Sequence, residues 1–176
     1  SLGNSYKGID AWNGTGGHYL EYVTGGMLKE GIRVSGSDRR GWLKNIHLNP
    51  HMYFRTIGTD LPNSSLDQAD EAINFRILLP WLDRELEYAF RFGGTRNEVV
   101  FNCFSYRSKL GLDIAGSPDK GFDGSFYGIG CDGTVSGFRI CHTGDHELQF
   151  INAGIDIVDQ DYMVIRGIAD SLAKVD

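Results

Sequence analysis

The amino-acid sequence predicts an all-β chain whose short apolar segments stack as successive turns of one right-handed parallel β-helix. Three observations predict it. Apolar residues recur at a spacing of about 22–26 positions: Phe101, Phe126 and Phe150 are separated by 25 and 24 residues, Leu112 and Phe138 by 26, Tyr22 and Ile46 by 24. The apolar segments are short, partly β-branched or aromatic, and bounded by glycine or polar turns. Glycine accounts for 24 residues and proline for only 4, which suits many tight turns and close backbone approaches rather than a disordered tract. A unit of this length cannot bury its inward side chains alone. Stacked units, with strands about 4.8 Å apart, can. The alternative is a β-sandwich or jelly roll, whose short strands are also evenly spaced.

The elements follow in order. Residues 1–18 are rich in Gly, Asn and Ser and read as loop. Strand-like runs cover 19–23, 31–34 and 42–48. Residues 57–71 are polar, and Ser64 with Asp67 or Ser65 with Gln68 offers helix-start chemistry. Apolar positions between Leu66 and Phe90 then fall at helical spacings. Because Pro80 cannot sit deep inside one helix, two helical pieces are expected, the second starting near Pro80. The helical insertion is placed around 65–90, within a helical and loop excursion covering 57–98. Strand patterning returns after Gly93-Gly94, at 99–105, 110–114, 125–129, 135–141, 148–152, 155–158 and 162–168. Asn45, Asn102 and Asn152 lie inside strand-like sequence, where stacked amides can form a hydrogen-bonded ladder.

Length suits one domain spanning 1–176. The chain begins at Ser, so it reads as a piece of a longer protein. Seventeen basic and 23 acidic residues give a net charge of −6, which argues against a nucleic-acid backbone as partner. No 18-residue apolar stretch exists to form a membrane-spanning helix, and no membrane partner is expected. Three cysteines at spacings of 28 and 10 make neither a disulfide framework nor a zinc pattern. Cys103 reads as a buried thiol, and a Cys131–Cys141 bridge stays open. The Gly128–Gly133 run has dinucleotide-binding spacing, but a strand follows where that fingerprint needs a helix. No cofactor and no metal are expected.

The densest polar constellation is His142-Thr-Gly-Asp145-His146-Glu147. Imidazole titrates near neutral pH and a carboxylate beside it tunes it, which suits general acid and base work. Glycoside cleavage needs two carboxylates about 5–9.5 Å apart. Asp145, Glu147, His142, His146 and Asp132 are therefore the catalytic candidates, with Asp123 as a further carboxylate. His47 and Asn49 share one face of a strand whose other face carries Ile46 and Leu48, so they point to solvent or a groove. Trp42 and Tyr127 offer rings for the apolar face of a sugar, and Arg139 offers a fork for acidic groups. These five are the substrate-binding candidates. A polar turn between two coils accounts for residues 142–147 without any chemistry.

The stretches 41–54 (GWLKNIHLNPHMYF), 88–114 and 121–152 resemble bacterial pectate-lyase-like β-helix proteins in strand cadence over about three quarters of the chain. That resemblance implies a secreted or cell-surface protein acting on, or binding, a polysaccharide or oligosaccharide. The calcium-site carboxylates of pectate lyases are absent, as are the Asn-x-Asp, Asp-Asp and Gly-His-Gly phrases of polygalacturonases, so no mechanism transfers. The functional expectation is a polysaccharide hydrolase or lyase working along a lateral groove. The alternative is a non-catalytic glycan-binding or assembly module of a phage or cell surface. Open coil ends call for flanking sequence, a cap or self-association, here a homotrimer.

Overall fold

The computed structural model describes residues 2–14, 16–50, 52, 71–157 and 165–167, with backbone alone at 3–4, 71–77, 146–147 and 165–167. It is a right-handed parallel β-helix of about five turns. The strands are β1 (Leu2–Lys7), β2 (Asp10–Ala11), β3 (Tyr19–Glu21), β4 (Thr24–Glu30), β5 (Ile32–Val34), β6 (Trp42–Leu48), β7 (Tyr88–Phe92), β8 (Glu98–Ala115), β9 (Phe122–Ile151), β10 (Gly154–Ile157) and β11 (Ile165–Gly167). A helix, α1 (Glu71–Glu85), lies between β6 and β7 among the described residues.

Every pairing between these strands is parallel. Sandwiches and jelly rolls are built from antiparallel pairs, so that alternative is excluded. The register gives the period directly: Tyr19 pairs with Trp42, Trp42 with Val99 and Val99 with Ser125. These steps are 23, 57 and 26 residues, and the long middle step contains the helical excursion.

Alternation inside each strand builds the core. Leu43, Val100 and Phe126 stack inward in consecutive turns. Phe126 then stacks on Phe150, with ring centroids 4.8 Å apart and 13° between planes. Leu112 and Phe138 pair in register and are both buried, as their 26-residue spacing predicts. Two other spacings resolve differently. Phe101 pairs with Tyr127, not Phe126, and is 46% exposed. Tyr22 sits one position off Ile46, because Glu21 pairs with Lys44. A shift of one residue moves a side chain to the opposite face of a strand, so a period known only to within two residues cannot choose the face.

Residues 2–7 and 10–11 are strands rather than loop, because parallel pairing to β4 and β5 overrides their Gly/Asn-rich composition. The helix is one piece, with Pro80 inside it. Leu78 and Leu82 form its buried stripe, continued by buried Leu86 just past its end, whereas Pro80 is exposed. A lost backbone donor on the solvent side costs less than breaking that stripe. Helical structure stops at Glu85, and Tyr88–Phe92 is already strand, paired with β5 and β8. The three cysteines form no disulfide, so Cys131 and Cys141 are not bridged. Burial pushes the Cys103 thiol up to about 11 and Cys131 up to about 12, so both serve as core residues.

A polar pair closes the core beside the first strand of each turn. His18 precedes Tyr19, Gly41 precedes Trp42, and Glu98 precedes Val99. Their in-register stacking leaves a space at Gly41, which has no side chain. Across it, His18 Nε2 lies 2.8 Å from Glu98 Oε1, and a β-carbon at Gly41 would collide with both groups. The Glu98 carboxyl is fully buried, and desolvation raises its pKa. A raised carboxyl pKa means that stability from the protonated form is complete below the ordinary value near 4.5 and is lost as pH rises through the raised value. Glu98→Gln is therefore expected to flatten the dependence of stability on pH and to gain on the unmodified chain towards neutral pH. Thermal unfolding across a pH series checks this, and parallel profiles would contradict it.

Candidate functional site

Each turn bends at a residue with left-handed backbone: Tyr22 (φ 54°), Asn45 (φ 53°), Asn102 (φ 51°), Gly128 (φ 70°) and Asn152 (φ 57°). Asparagine tolerates this region because its short side chain can bond locally. Asn102 Nδ2 donates to Asn45 Oδ1 at 2.9 Å, so the expected ladder exists between these two turns. Gly128 interrupts it before Asn152. The corner column separates two outward faces.

On the face after the corner, His47 pairs with Phe104 and Phe104 with Gly130, and Gly130 pairs with Gly154. His47 is exposed, and its ring meets Phe104 edge-on at 5.1 Å. Two residues on, the next outward row runs through Asn49, Tyr106, Asp132 and Asp156. Tyr106 pairs with Asp132. Beside Asp132 the register slips: Cys131 pairs with Ile155 and Thr134 with Ile157, so Asp132 and Gly133 together face Asp156. Gly133 has φ 60°, as such a bulge requires. The Phe104 ring lies against Gly130, so the bare backbone beside the two carboxyls is at Gly154, which is exposed. A β-carbon at Gly154 would meet nothing within 4 Å.

Strand spacing puts two outward carboxylates on neighbouring turns about 4.8 Å apart at their backbones. Burial of the Asp132 carboxyl, and then the charge of Asp156, raise the Asp132 pKa. One carboxyl thus keeps its proton to higher pH while standing beside a second, which is the division of labour that acid-assisted bond cleavage needs.

The other candidates fall into three places. Trp42 and Tyr127, with Phe101, line a groove of about 640 Å³ on the face before the corner. Asp145 is exposed in a cleft of about 370 Å³ that also holds Asp123, Thr95, Arg96 and Lys120. His142 pairs with Ala115 at the end of the third strand segment, next to that cleft. The side chains of His146 and Glu147 lie outside the described residues. Arg139 grips the buried Asp113 with two bonds, of 2.8 and 2.7 Å. The structure therefore brings His47, Asn49 and Asp132 onto one face, gathers Trp42 and Tyr127 on another, and leaves Asp145 and Arg139 apart from both. Asp156 is the residue the sequence reasoning missed. Its signal was present: it lies 24 residues after Asp132, the same step as Phe126 to Phe150.

Among the described residues, no group of three His, Cys, Asp or Glu side chains is placed to hold a metal ion. No protein-family model, curated protein or solved structure matches the chain.

Proposed function

We propose that the chain is a carbohydrate-active enzyme that hydrolyses a glycosidic bond of a polysaccharide lying along the face that carries His47, Asn49, Phe104, Tyr106, Asp132 and Asp156. The observation that supports this most is the stacked pair Asp132 and Asp156 on neighbouring turns, with the Asp132 pKa raised by burial and by the charge of Asp156. Protonated Asp132 donates to the glycosidic oxygen as the bond to the anomeric carbon breaks. The Asp156 carboxylate stabilises the positive charge that develops on the sugar. Water completes the reaction, adding hydroxide at the anomeric carbon and returning a proton to Asp132. The open backbone at Gly154 admits a sugar ring, and Phe104 and Tyr106 offer aromatic surface beside it. The pectate-lyase-like resemblance agrees with this reading, because such proteins act on polysaccharides on their lateral surfaces.

A second reading is glycan capture without cleavage. The outward set of exposed Phe101 with half-buried Trp42 and Tyr127 favours it, since ring stacking alone holds a sugar. Reducing-end release from a panel of polysaccharides separates the two. Cleavage is expected for at least one polymer. Binding without release supports capture, and neither binding nor release contradicts both.

A further inference from the structure

Of the seven non-glycine residues with left-handed backbone among the described residues, five are asparagine. Arg107 (φ 65°) is not, and its long side chain gains no local bond from that conformation. Backbone strain of this kind persists only where the surroundings hold it. Tyr106 pairs with Asp132 and Ser108 with Thr134, so Arg107 stands opposite Gly133 (φ 60°), the bulge residue that faces Asp156 together with Asp132. Two neighbouring turns thus kink at the same place, beside the two carboxyls.

The Arg107 side chain is caught among three groups. Its stem lies over Gly133: a β-carbon there would come within 3.2 Å of Cδ and 3.3 Å of Nε, and within 3.0 Å of the Tyr106 ring. Its guanidinium stands 5.6 Å from the centre of the Tyr106 ring. At the far end, Nη1 donates to Asp83 Oδ2 at 3.0 Å. Asp83 belongs to α1, so the helical excursion reaches the neighbourhood of the carboxyl pair through this arginine.

Stability does not explain the link. The Asp83 and Arg107 side chains are mostly buried, yet Asp83 Oδ1 and Arg107 Nε make no hydrogen bond among the described residues. A buried ion pair stabilises only when its geometry is good and its remaining polar atoms are satisfied. Burial raises the Asp83 pKa, and Arg107 offsets only part of that rise. Leu78 and Leu82 already hold the helix to the core. So incomplete a pair is a poor tie for a helix, but it fixes where an arginine points.

We propose that Arg107 is a positioning residue: pinned by Asp83, it holds the Gly133 bulge and the Tyr106 ring so that the Asp132 carboxyl stays against that of Asp156. The inference rests on the proposed site at Asp132 and Asp156 and adds the element that governs its geometry, helix α1.

Titration of the Asp132 carboxyl by NMR, on a chain with isotope-labelled aspartate, tests this without requiring any cleavage. Arg107→Gly removes the side chain and suits the left-handed backbone, so the variant is expected to fold. Its Asp132 midpoint is expected to fall towards the ordinary value near 3.8, because a loosened bulge hydrates Asp132 and parts it from Asp156. Asp83→Ala is expected to move the midpoint the same way. Loss of a cation alone raises a carboxyl pKa, so an upward shift would overturn the proposal. An unchanged midpoint with a lowered unfolding temperature would overturn it too, since Arg107 would then only tie the helix down. On a polysaccharide that the unmodified chain cleaves, both variants are expected to lower kcat by about ten- to hundredfold with KM little changed, the scale of a small misplacement of a catalytic group. A loss confined to KM would contradict that. If no polysaccharide is cleaved but the midpoint falls, the cleavage reading fails and the positioning role stands. If cleavage proceeds and the midpoint does not move, the positioning role alone fails.

Discussion

Phe126→Ala is expected to lower the free energy of unfolding by about 3–5 kcal/mol, the range for removing a large aromatic from a packed core. The ring is fully buried. It stacks on Phe150 at 4.8 Å and meets Phe92 and Phe122 at 5.6 Å each. Those three rings come from different turns, so truncation opens a cavity where successive turns meet. In a stacked-repeat architecture each turn is stabilised mainly by its neighbours, so the loss concentrates in the last turns. Phe101→Ala is the matched control. Its ring is half exposed on the outer face, and its loss is expected to change stability by less than about 1 kcal/mol. Urea unfolding of both variants checks the pair, and a reversal of their order would contradict the inward and outward assignment.

Asp132→Asn is expected to reduce sugar release by about 10²–10⁴-fold, the usual contribution of a positioned general acid. The pH profile carries the more specific expectation. Asp132 must hold its proton to act, so activity falls as pH rises through its raised pKa. Desolvation is the larger cause of that rise and the charge of Asp156 the smaller. Residual activity in Asp156→Asn is therefore expected to show its alkaline limb shifted towards lower pH, with most of the displacement from the ordinary value retained. An unchanged limb would show that the two carboxyls do not sense each other. An alkaline shift would contradict the assignment of Asp132 as the acid.

Periodicity made the architecture legible. The 26-residue step from Leu112 to Phe138 and the 24-residue step from Phe126 to Phe150 are true stacking steps, and the asparagine ladder was readable because Asn tolerates the left-handed corner. Phe101 shows where that reading stops. A side chain one position from the inward column carries nearly the same spacing and the opposite orientation. Residues 2–7 and 10–11 were missed because their strand character comes from pairing with β4 and β5 rather than from their own composition. Pro80 departs from the local rule because it lies on the side of the helix that faces water, which the sequence alone does not reveal. The site was partly legible for the same reason as the fold. Strand alternation placed His47 and Asn49 outward, and Asp132 joined them. Asp123, Asp145 and Glu147 are the partners that local carboxylate density suggests, whereas the period itself points 24 residues on, to Asp156.

The most direct test is a crystal of the Asp132→Asn variant soaked with mixed oligosaccharides. Sugar density over Gly154, flanked by Phe104 and within hydrogen-bond reach of residues 132 and 156, is the expected result. Sugar bound only in the cleft at Asp145, with Gly154 left bare, would contradict it.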